Sequence, residues 1–568
     1  MYMMRSNTIK GTEALLLSLI KEGTDTIFGY PGGTIMPLYD QLFDFKDQIN
    51  HILVRHEQGA VHAAEGYARA TGKVGVCMAT AGPGATNLVT GIADAMMDST
   101  PLVCITAQVN ADKLGTNFFQ EADTISITIP VTKWSYQITH ADEVADIIAK
   151  AFYIARSGRP GPVLISFTRN AQIGETKFSY KTYKPLKISI SEYQEKNEAS
   201  VRKAIQMINL SEKPMIIAGQ GIILSKAEEL LVKLAEKGNI PVVSTLMGLS
   251  SVPTKHPLFC GNVGMHGNIA PNKMTQSSDL IIAAGMRFSD RVTGDTSMYA
   301  PNAKIIHIDI DKAEFNKNIK SHIQIHADVK ETFKSILKGG VEYKDRKEWF
   351  SFILSQKELE IKEVTSKYLA NNEETISMAQ VVDLISSETG GDAVIVTDVG
   401  QHQMFSARFS KHNKSRSMIT SGGLGTMGYG LPAALGAKVG VPDREVIAIV
   451  GDGGFQMSIQ ELGTIMQSNI NIKIVILNNS FLGMVRQWQQ LFFDRRYSFT
   501  NMCNPDFVKI ASAYNIKAKR VTSKEALACS VKEMVSHNGC YLLEVVVKSE
   551  ENIFPMVPSG ASLDNIMY

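Results

Sequence analysis

Between residues 50 and 110 the hydrophobic period switches repeatedly from that of a buried strand to that of a helix. This alternation constrains the fold more than any other feature of the chain. Residues 52–54 read as a strand, and residues 58–71 carry small and apolar side chains at helical spacing up to Gly72. Residues 74–79 form a buried apolar run, 86–97 a second helix, and 102–106 the next strand. Strands that are apolar on both faces and joined through helices belong to a parallel sheet covered on each side. The rhythm returns twice. Strands are expected at 214–218, 241–244, 280–284 and 304–308, and again at 393–397, 446–450, 472–477 and 541–547. A polar, lysine-rich stretch at 172–198 reads as a connection, and a charged helical tract at 345–368 leads into the last series. The expectation is therefore α/β: three doubly wound domains with mainly parallel sheets, at 1–175, 195–345 and 370–568.

At 568 residues the chain is long enough for each of three units to bury its own core. Lys and Arg exceed Asp and Glu by only two, too little imbalance for a dedicated nucleic-acid binder. The six cysteines are scattered without a CxxC pair, which points to neither a zinc knuckle nor a disulfide framework and suits a reducing cytoplasmic compartment. The apolar stretch 14–20 is followed by Lys21, Glu22 and Gly23 without a cleavage site, so it reads as a helix ended by glycine rather than a leader. No apolar run approaches the ~18 residues of a membrane-spanning helix.

Chemistry is clearest in the third series. The strand at 446–450 runs into Gly451-Asp452-Gly453-Gly454, and the next strand ends at Asn478-Asn479, placing Asn479 27 residues after Asp452. Adjacent parallel strands would deliver both side chains to the carboxyl edge of the sheet, where such folds bind ligands. A carboxylate and an amide oxygen there make a hard-oxygen site suited to Mg2+, with phosphate oxygens completing the octahedron. Gly423, Gly425 and Gly428 satisfy the spacing of a dinucleotide fingerprint. They follow an earlier strand of their domain, however, and the acid downstream is Asp452 itself, so an NAD site is disfavoured.

The metal motif resembles that of the enzymes that depend on thiamine diphosphate. Further segments sharpen the resemblance to the catalytic subunits of the acetohydroxyacid synthase (acetolactate synthase) family: FGYPGG at 28–33, HEQGA at 56–60, AGPGATN at 81–87, GMHG at 264–267, HIDID at 307–311, GQHQM at 400–404, TSGGLGTMGYGLPAA at 420–434 and GMVRQWQ at 483–489. The match runs in order from about residue 11 to 566. It implies thiamine diphosphate, magnesium and FAD as cofactors. Pyruvate would be decarboxylated and the hydroxyethyl unit joined to a second 2-oxo acid, giving 2-acetolactate or 2-aceto-2-hydroxybutyrate for branched-chain amino acid biosynthesis.

The resemblance also distributes roles. Glu57 would hydrogen-bond the cofactor's pyrimidine and drive its imino tautomer, with Gly33 and Gln120 on the reacting side. Gly425 would hold the amino group through its main-chain oxygen, Met427 and Met484 would wedge the pyrimidine, and Gln401, His402, Gly453 and Gly454 would attend the diphosphate. Phe481 joins Asp452 and Asn479 at the metal. The flavin would lie against Arg287, Asp290, Arg291, Gly264, Met265, His266 and Asp309, and the acceptor acid against Arg291, Trp488 and Arg169. Ser289 and Asn110 depart from the family pattern, which leaves acceptor preference open. In this family one site is shared between subunits, so a homodimer or homotetramer is implied, and a small regulatory subunit is possible. Two other readings remain on sequence alone: a pyruvate oxidase-type flavin enzyme, in which electrons pass to FAD, and a carboligase with a different acceptor.

Overall fold

The computed structural model describes residues 8–183, 190–370 and 374–568. Three six-stranded sheets dominate it, and within each every strand pairing is parallel. The first has the spatial order Asn50–Leu53, Thr26–Gly29, Gly75–Ala79, Leu102–Gln108, Pro162–Thr168, Trp134–Ile138. The third repeats that order with Met418–Ile419, Val394–Thr397, Val446–Gly451, Lys473–Asn478, Tyr541–Val546 and Lys517–Val521. In both, numbering the strands of the domain along the chain gives 2-1-3-4-6-5. The middle sheet differs: Phe259–Asn262, Val242–Ser244, Pro214–Ala218, Leu280–Ala284, Lys304–Asp309 and Ile323–His326 give 3-2-1-4-5-6, the dinucleotide-binding order.

The central strands are apolar because both faces are covered; Pro162–Thr168, for example, is buried along its whole length. The first and third domains of one chain join through helices Glu57–Thr71 and Gly430–Gly440. Gly66 and Gly436 let the two backbones touch: a Cβ on Gly66 would lie 1.9 Å from the carbonyl oxygen of Ala433, and one on Gly436 1.8 Å from that of Ala63. Only glycine permits so close a crossing. The shared core accordingly runs across both domains, from Ala60, Ala63 and Ala64 to Leu431, Ala434 and Leu435.

Two expectations are corrected. The stretch 172–198 is not simply a connection: Glu175–Thr176 pairs antiparallel with Ile9–Lys10, and a helix, Ile190–Leu210, begins inside it. Residues 184–189 lie outside the described residues. The helix expected at 86–97 is two pieces, Pro83–Thr86 and Val89–Met97.

Candidate active site

In each sheet the strand order reverses at one point, and the loops that leave the two strands there diverge to open a crevice. In the third sheet the point lies between Val394–Thr397 and Val446–Gly451. Asp398 follows the first of these strands, fully buried. It accepts hydrogen bonds from the N–H groups of Val399 (2.8 Å), Gly428 (3.1 Å) and Gly430 (2.8 Å), and burial pushes its carboxyl up to about 6. His402 lies below Gly400 and Gly451, where added Cβ atoms would meet its ring at about 3 Å. Burial pushes this imidazole down to about 4, which leaves it neutral, and its Nε2 has no partner among the described residues. The side chain of Gln401 is already engaged, donating to Gln487 Oε1 (2.9 Å) and the carbonyl of Glu551 (2.7 Å).

Asp452 opens the helix Asp452–Met457 after the second strand, and the neighbouring strand Lys473–Asn478 leads directly to Asn479. Asp452 is 1% exposed, and burial pushes its carboxyl up to about 6. Asn504, which sequence reasoning missed, donates from Nδ2 to Asp452 Oδ2 (2.6 Å) and to Asn478 Oδ1 (2.9 Å), fixing the carboxylate. Asn479 Oδ1 accepts from the N–H of Phe481 at 3.2 Å, which folds the loop so that residues 479 and 481 stay together. A buried carboxylate beside an amide oxygen is a donor set that fits Mg2+, and a cation there offsets the desolvation of Asp452. Gly453 and Gly454 are needed for packing: a Cβ would meet Leu482 at 2.8 Å from the first and Asp398 Oδ1 at 2.5 Å from the second.

The loop 420–428 disposes of the dinucleotide fingerprint. Gly423 N–H donates to Asp98 Oδ1 (2.7 Å), Gly425 N–H to Ser421 Oγ (3.0 Å) and Gly428 N–H to Asp398. Amides so engaged cannot cradle a pyrophosphate. Gly425 itself is left-handed, at φ 75°.

A cavity of about 1020 Å3 lies at the reversal point of the middle sheet and extends to the other two domains. Gly425, Met427, Met484 and Trp488 reach it from the third domain, and Arg287, Asp290, Arg291, Met265, His266 and Asp309 from the middle one. Gly264, at φ 126°, turns the chain so that Met265 N–H reaches the Arg291 carbonyl at 2.8 Å; a Cβ on Gly264 would sit 2.5 Å from the same oxygen. Arg291 pairs with Asp290 (2.9 Å). Burial pushes Asp309 up to about 6, while burial and the cations of Arg408 and Arg291 push His266 down to about 3. Trp488 stands on the helix Gly483–Phe492 against Phe492, with ring centroids 5.1 Å apart. Arg159 and the Gln220-Gly221 turn also line the cavity. Sequence reading passed over them, although Gly219-x-Gly221 directly after a strand was the available signal.

The reversal point of the first sheet holds a separate group. Glu57 is the first residue of its helix, after the cap His56, and its Oε2 accepts from Asn87 Nδ2 at 2.9 Å. The turn 80–84 packs between: a Cβ on Gly84 would be 3.2 Å from Glu57 Oε1, and one on Gly82 2.9 Å from the Gln120 carbonyl. Gln120 is left-handed, at φ 62°. Thr34, next to Gly33, bonds Thr80 Oγ1 (2.9 Å) and accepts from Ala81 N–H (3.0 Å). Gly33, Glu57 and Gln120 thus converge on one turn, yet none of them lines the large cavity. Neither does Arg169, which is exposed beyond the strand Pro162–Thr168.

Comparison with known proteins settles what kind of chain carries two such half-sites. The descriptions of the thiamine pyrophosphate enzyme N-terminal TPP binding domain, central domain and C-terminal TPP binding domain match residues 9–127, 201–336 and 398–545. A probable acetolactate synthase large subunit of Methanocaldococcus jannaschii is 45% identical over 567 residues, covering 98% of this chain and 95% of that one. The chain belongs to the acetolactate synthase large-subunit family of thiamine pyrophosphate enzymes. The large subunit of acetolactate synthase isozyme 2 of Escherichia coli is 42% identical over 98% of both chains. The acetolactate synthase large subunit of Lactococcus lactis is 42% identical over 98% of this chain and 96% of its own. The two TPP binding domains are the two with the same strand order, and the central domain is the one with the dinucleotide-type order.

Proposed function

We propose that this chain is the catalytic subunit of an acetolactate synthase, which decarboxylates pyruvate and joins the two-carbon unit to a second 2-oxo acid. The observation that carries the reading is the pairing of half-sites. A carboxylate at a helix start faces the crevice of the first sheet, and a buried carboxylate-amide pair faces that of the third. When bound, thiamine diphosphate supplies the nucleophilic carbon and the electron sink. Asp452, Asn479 and Phe481 would hold Mg2+ against its diphosphate. The unpartnered Nε2 of neutral His402 would meet a phosphate oxygen; Gln401, with its side-chain donors engaged, would contribute through the main chain. Met427 and Met484 would grip the pyrimidine ring, Gly425 its amino group, and Glu57 would hold a proton at the ring nitrogen. Because Gly33, Glu57 and Gln120 stand apart from Met427 and Trp488 in one chain, a complete site takes the first group from a second copy. A homodimer is the smallest active unit, with a homotetramer and a small regulatory subunit compatible with it.

FAD suits the large cavity, which offers Arg287 and Arg291 for a diphosphate at a dinucleotide-type reversal point. It would serve as a structural element, since the ligation has no net redox change. Trp488 and Arg291, in the same cavity, would seat the acceptor acid, Arg291 through its carboxylate. The six unpaired cysteines fit a cytoplasmic setting, and among the described residues no helix is long and apolar enough to cross a membrane. Incubation of the purified protein with pyruvate, thiamine diphosphate, Mg2+ and FAD tests the reading. Acetolactate formed with the flavin still oxidised supports it; flavin bleaching accompanied by acetate replaces it with a pyruvate oxidase.

A further inference from the structure

The loop 420–428 is shaped by two carboxylates from another domain. Asp94 and Asp98 stand one turn apart on the helix Val89–Met97 and its C-terminal cap, and both are buried, at 0% and 2% exposure. Asp98 takes the N–H groups of Gly422 (2.8 Å) and Gly423 (2.7 Å). Asp94 Oδ1 accepts from the hydroxyls of Ser421 and Thr426, the latter at 2.8 Å. Ser421 Oγ in turn accepts from the N–H groups of Gly425 (3.0 Å) and Thr426 (2.9 Å). One hydroxyl, with one proton and two lone pairs, is thereby fully used: its proton points at Asp94 and both lone pairs at the turn that holds Gly425 left-handed.

We propose that Asp94 is a positioning residue for the cofactor: acting through Ser421, it fixes the conformation of Gly425 and so the seat of the pyrimidine. The inference rests on the reading that Gly425 meets the aminopyrimidine. The environment of Asp94 suits a fixed acceptor. Glu65, on the facing helix, has Oε1 bonded to His62 Nδ1 at 2.9 Å, and burial with the neighbouring Asp94 and Asp98 raises it well above the ordinary carboxyl range. His62 is held down to about 4 by burial. Asp94 and Asp98 are the two carboxyl groups of this cluster that face the loop, and burial pushes Asp98 up to about 6. Arg69, 3.7 Å from Asp98, is the cation that balances it.

The test uses the full-length protein and thiamine diphosphate with Mg2+, binding being followed by titration calorimetry, turnover separately, and folding by the melting of cofactor-free protein. Asp94→Ala should weaken cofactor affinity about tenfold or more, the effect of losing a charge-assisted hydrogen bond. The KM for pyruvate should stay within about twofold, because Asp94 does not line the cavity that holds Trp488 and Arg291. Asp94→Asn keeps an oxygen for Ser421 and Thr426 and should retain affinity within about threefold. Ser421→Ala should reproduce the Asp94→Ala loss, and the double variant should be no worse than either single one. If Asp94→Ala does not fold, Ser421→Ala and Asp94→Asn decide. Unchanged affinity in Asp94→Ala or Ser421→Ala, or equal loss in the Asn and Ala variants, overturns the inference. Failure of the wild-type protein to bind thiamine diphosphate would instead overturn the functional reading.

Discussion

Gly66→Ala ought to stabilise an isolated helix, and here it should do the opposite. In a helix interior alanine is favoured over glycine by about 1 kcal/mol. At residue 66, however, the new methyl would lie 1.9 Å from the carbonyl oxygen of Ala433 and 2.6 Å from its carbon, and backbone atoms cannot rotate away as a side chain would. The helices Glu57–Thr71 and Gly430–Gly440 would have to separate by more than an ångström, opening the core around Ala63, Ala64 and Ala434. Overpacking of this kind costs about 1 to 3 kcal/mol or more, so the net change is destabilising once the helical gain is subtracted. For a unit of 150 to 250 residues each kcal/mol lowers the melting temperature by roughly 2 to 4 °C, so a net cost of about 1 to 2 kcal/mol gives an expected fall of about 2 to 8 °C. Gly436→Ala should behave alike, meeting Ala63 O at 1.8 Å, and the double variant should cost less than the sum because one separation accommodates both methyls. Gly33→Ala is the control: its Cβ would meet nothing within 4 Å, so stability should hold while turnover falls, the site having lost space. Calorimetric scans of the cofactor-free proteins provide the measurement. An unchanged or raised melting temperature in Gly66→Ala would refute the close crossing.

Asp452→Ala should abolish Mg2+-dependent retention of thiamine diphosphate, because a methyl offers no ligand to an octahedral cation; equilibrium dialysis with and without EDTA reads it, and unchanged retention removes the metal assignment. Glu57→Gln should bind the cofactor but exchange the thiazolium proton at least tenfold more slowly, measured by NMR, since an amide does not supply the proton at the ring nitrogen. Trp488→Leu should reduce preference for 2-oxobutyrate over pyruvate as acceptor. The two differ by one methylene, worth roughly 1 to 3 kcal/mol in a complementary pocket. A competition assay reports the product ratio, and an unchanged ratio would return Trp488 to a packing role beside Phe492.

In two of the three domains the sequence made central strands visible and edge strands invisible; in the first it showed the edge strand Asn50–Leu53 and passed over the buried Thr26–Gly29 and Pro162–Thr168. In the middle and third domains the four strands it did not reveal are Phe259–Asn262, Ile323–His326, Met418–Ile419 and Lys517–Val521, and these are the four sheet edges. An edge strand is paired on one side and incompletely covered, so the continuous apolar run that marks a buried strand is absent: Ile323–His326 alternates buried and exposed, and Lys517–Val521 carries Lys517, Lys519 and Arg520. The Asp452–Asn479 pair was legible because the two residues end adjacent central strands. The contacts of Asp98 with Gly422 and of Asn504 with Asp452 span 324 and 52 residues, and no local period reports such distances. The lysine-rich composition of 172–198 likewise concealed the start of a helix whose apolar positions appear only further along, at Val201, Ala204 and Ile208.

Glycine spacing, finally, describes a backbone rather than a ligand. Gly423, Gly425 and Gly428 have the spacing of a dinucleotide loop, yet each is required for a reason internal to the protein. A Cβ on Gly423 would strike Asp98 Oδ1 at 2.9 Å, and Gly425 and Gly428 are left-handed at φ 75° and 86°. Their amides face protein carboxylates and a hydroxyl, so no phosphate is taken up there. The middle sheet carries the less conspicuous pattern: its first strand, Pro214–Ala218, runs straight into Gly219-Gln220-Gly221 at the reversal point. A Cβ on Gly219 would lie 2.1 Å from Gly285 O, and one on Gly221 2.6 Å from Gly285 Cα, so these glycines bring two strand-end turns together at the floor of the large cavity. What distinguishes the two loops is the strand order around them. Both loops border the large cavity, but the 3-2-1-4-5-6 sheet sets its glycine turns against one another, whereas the 2-1-3-4-6-5 sheet ties its glycine loop onto Asp398 and, across the domain boundary, onto Asp94 and Asp98.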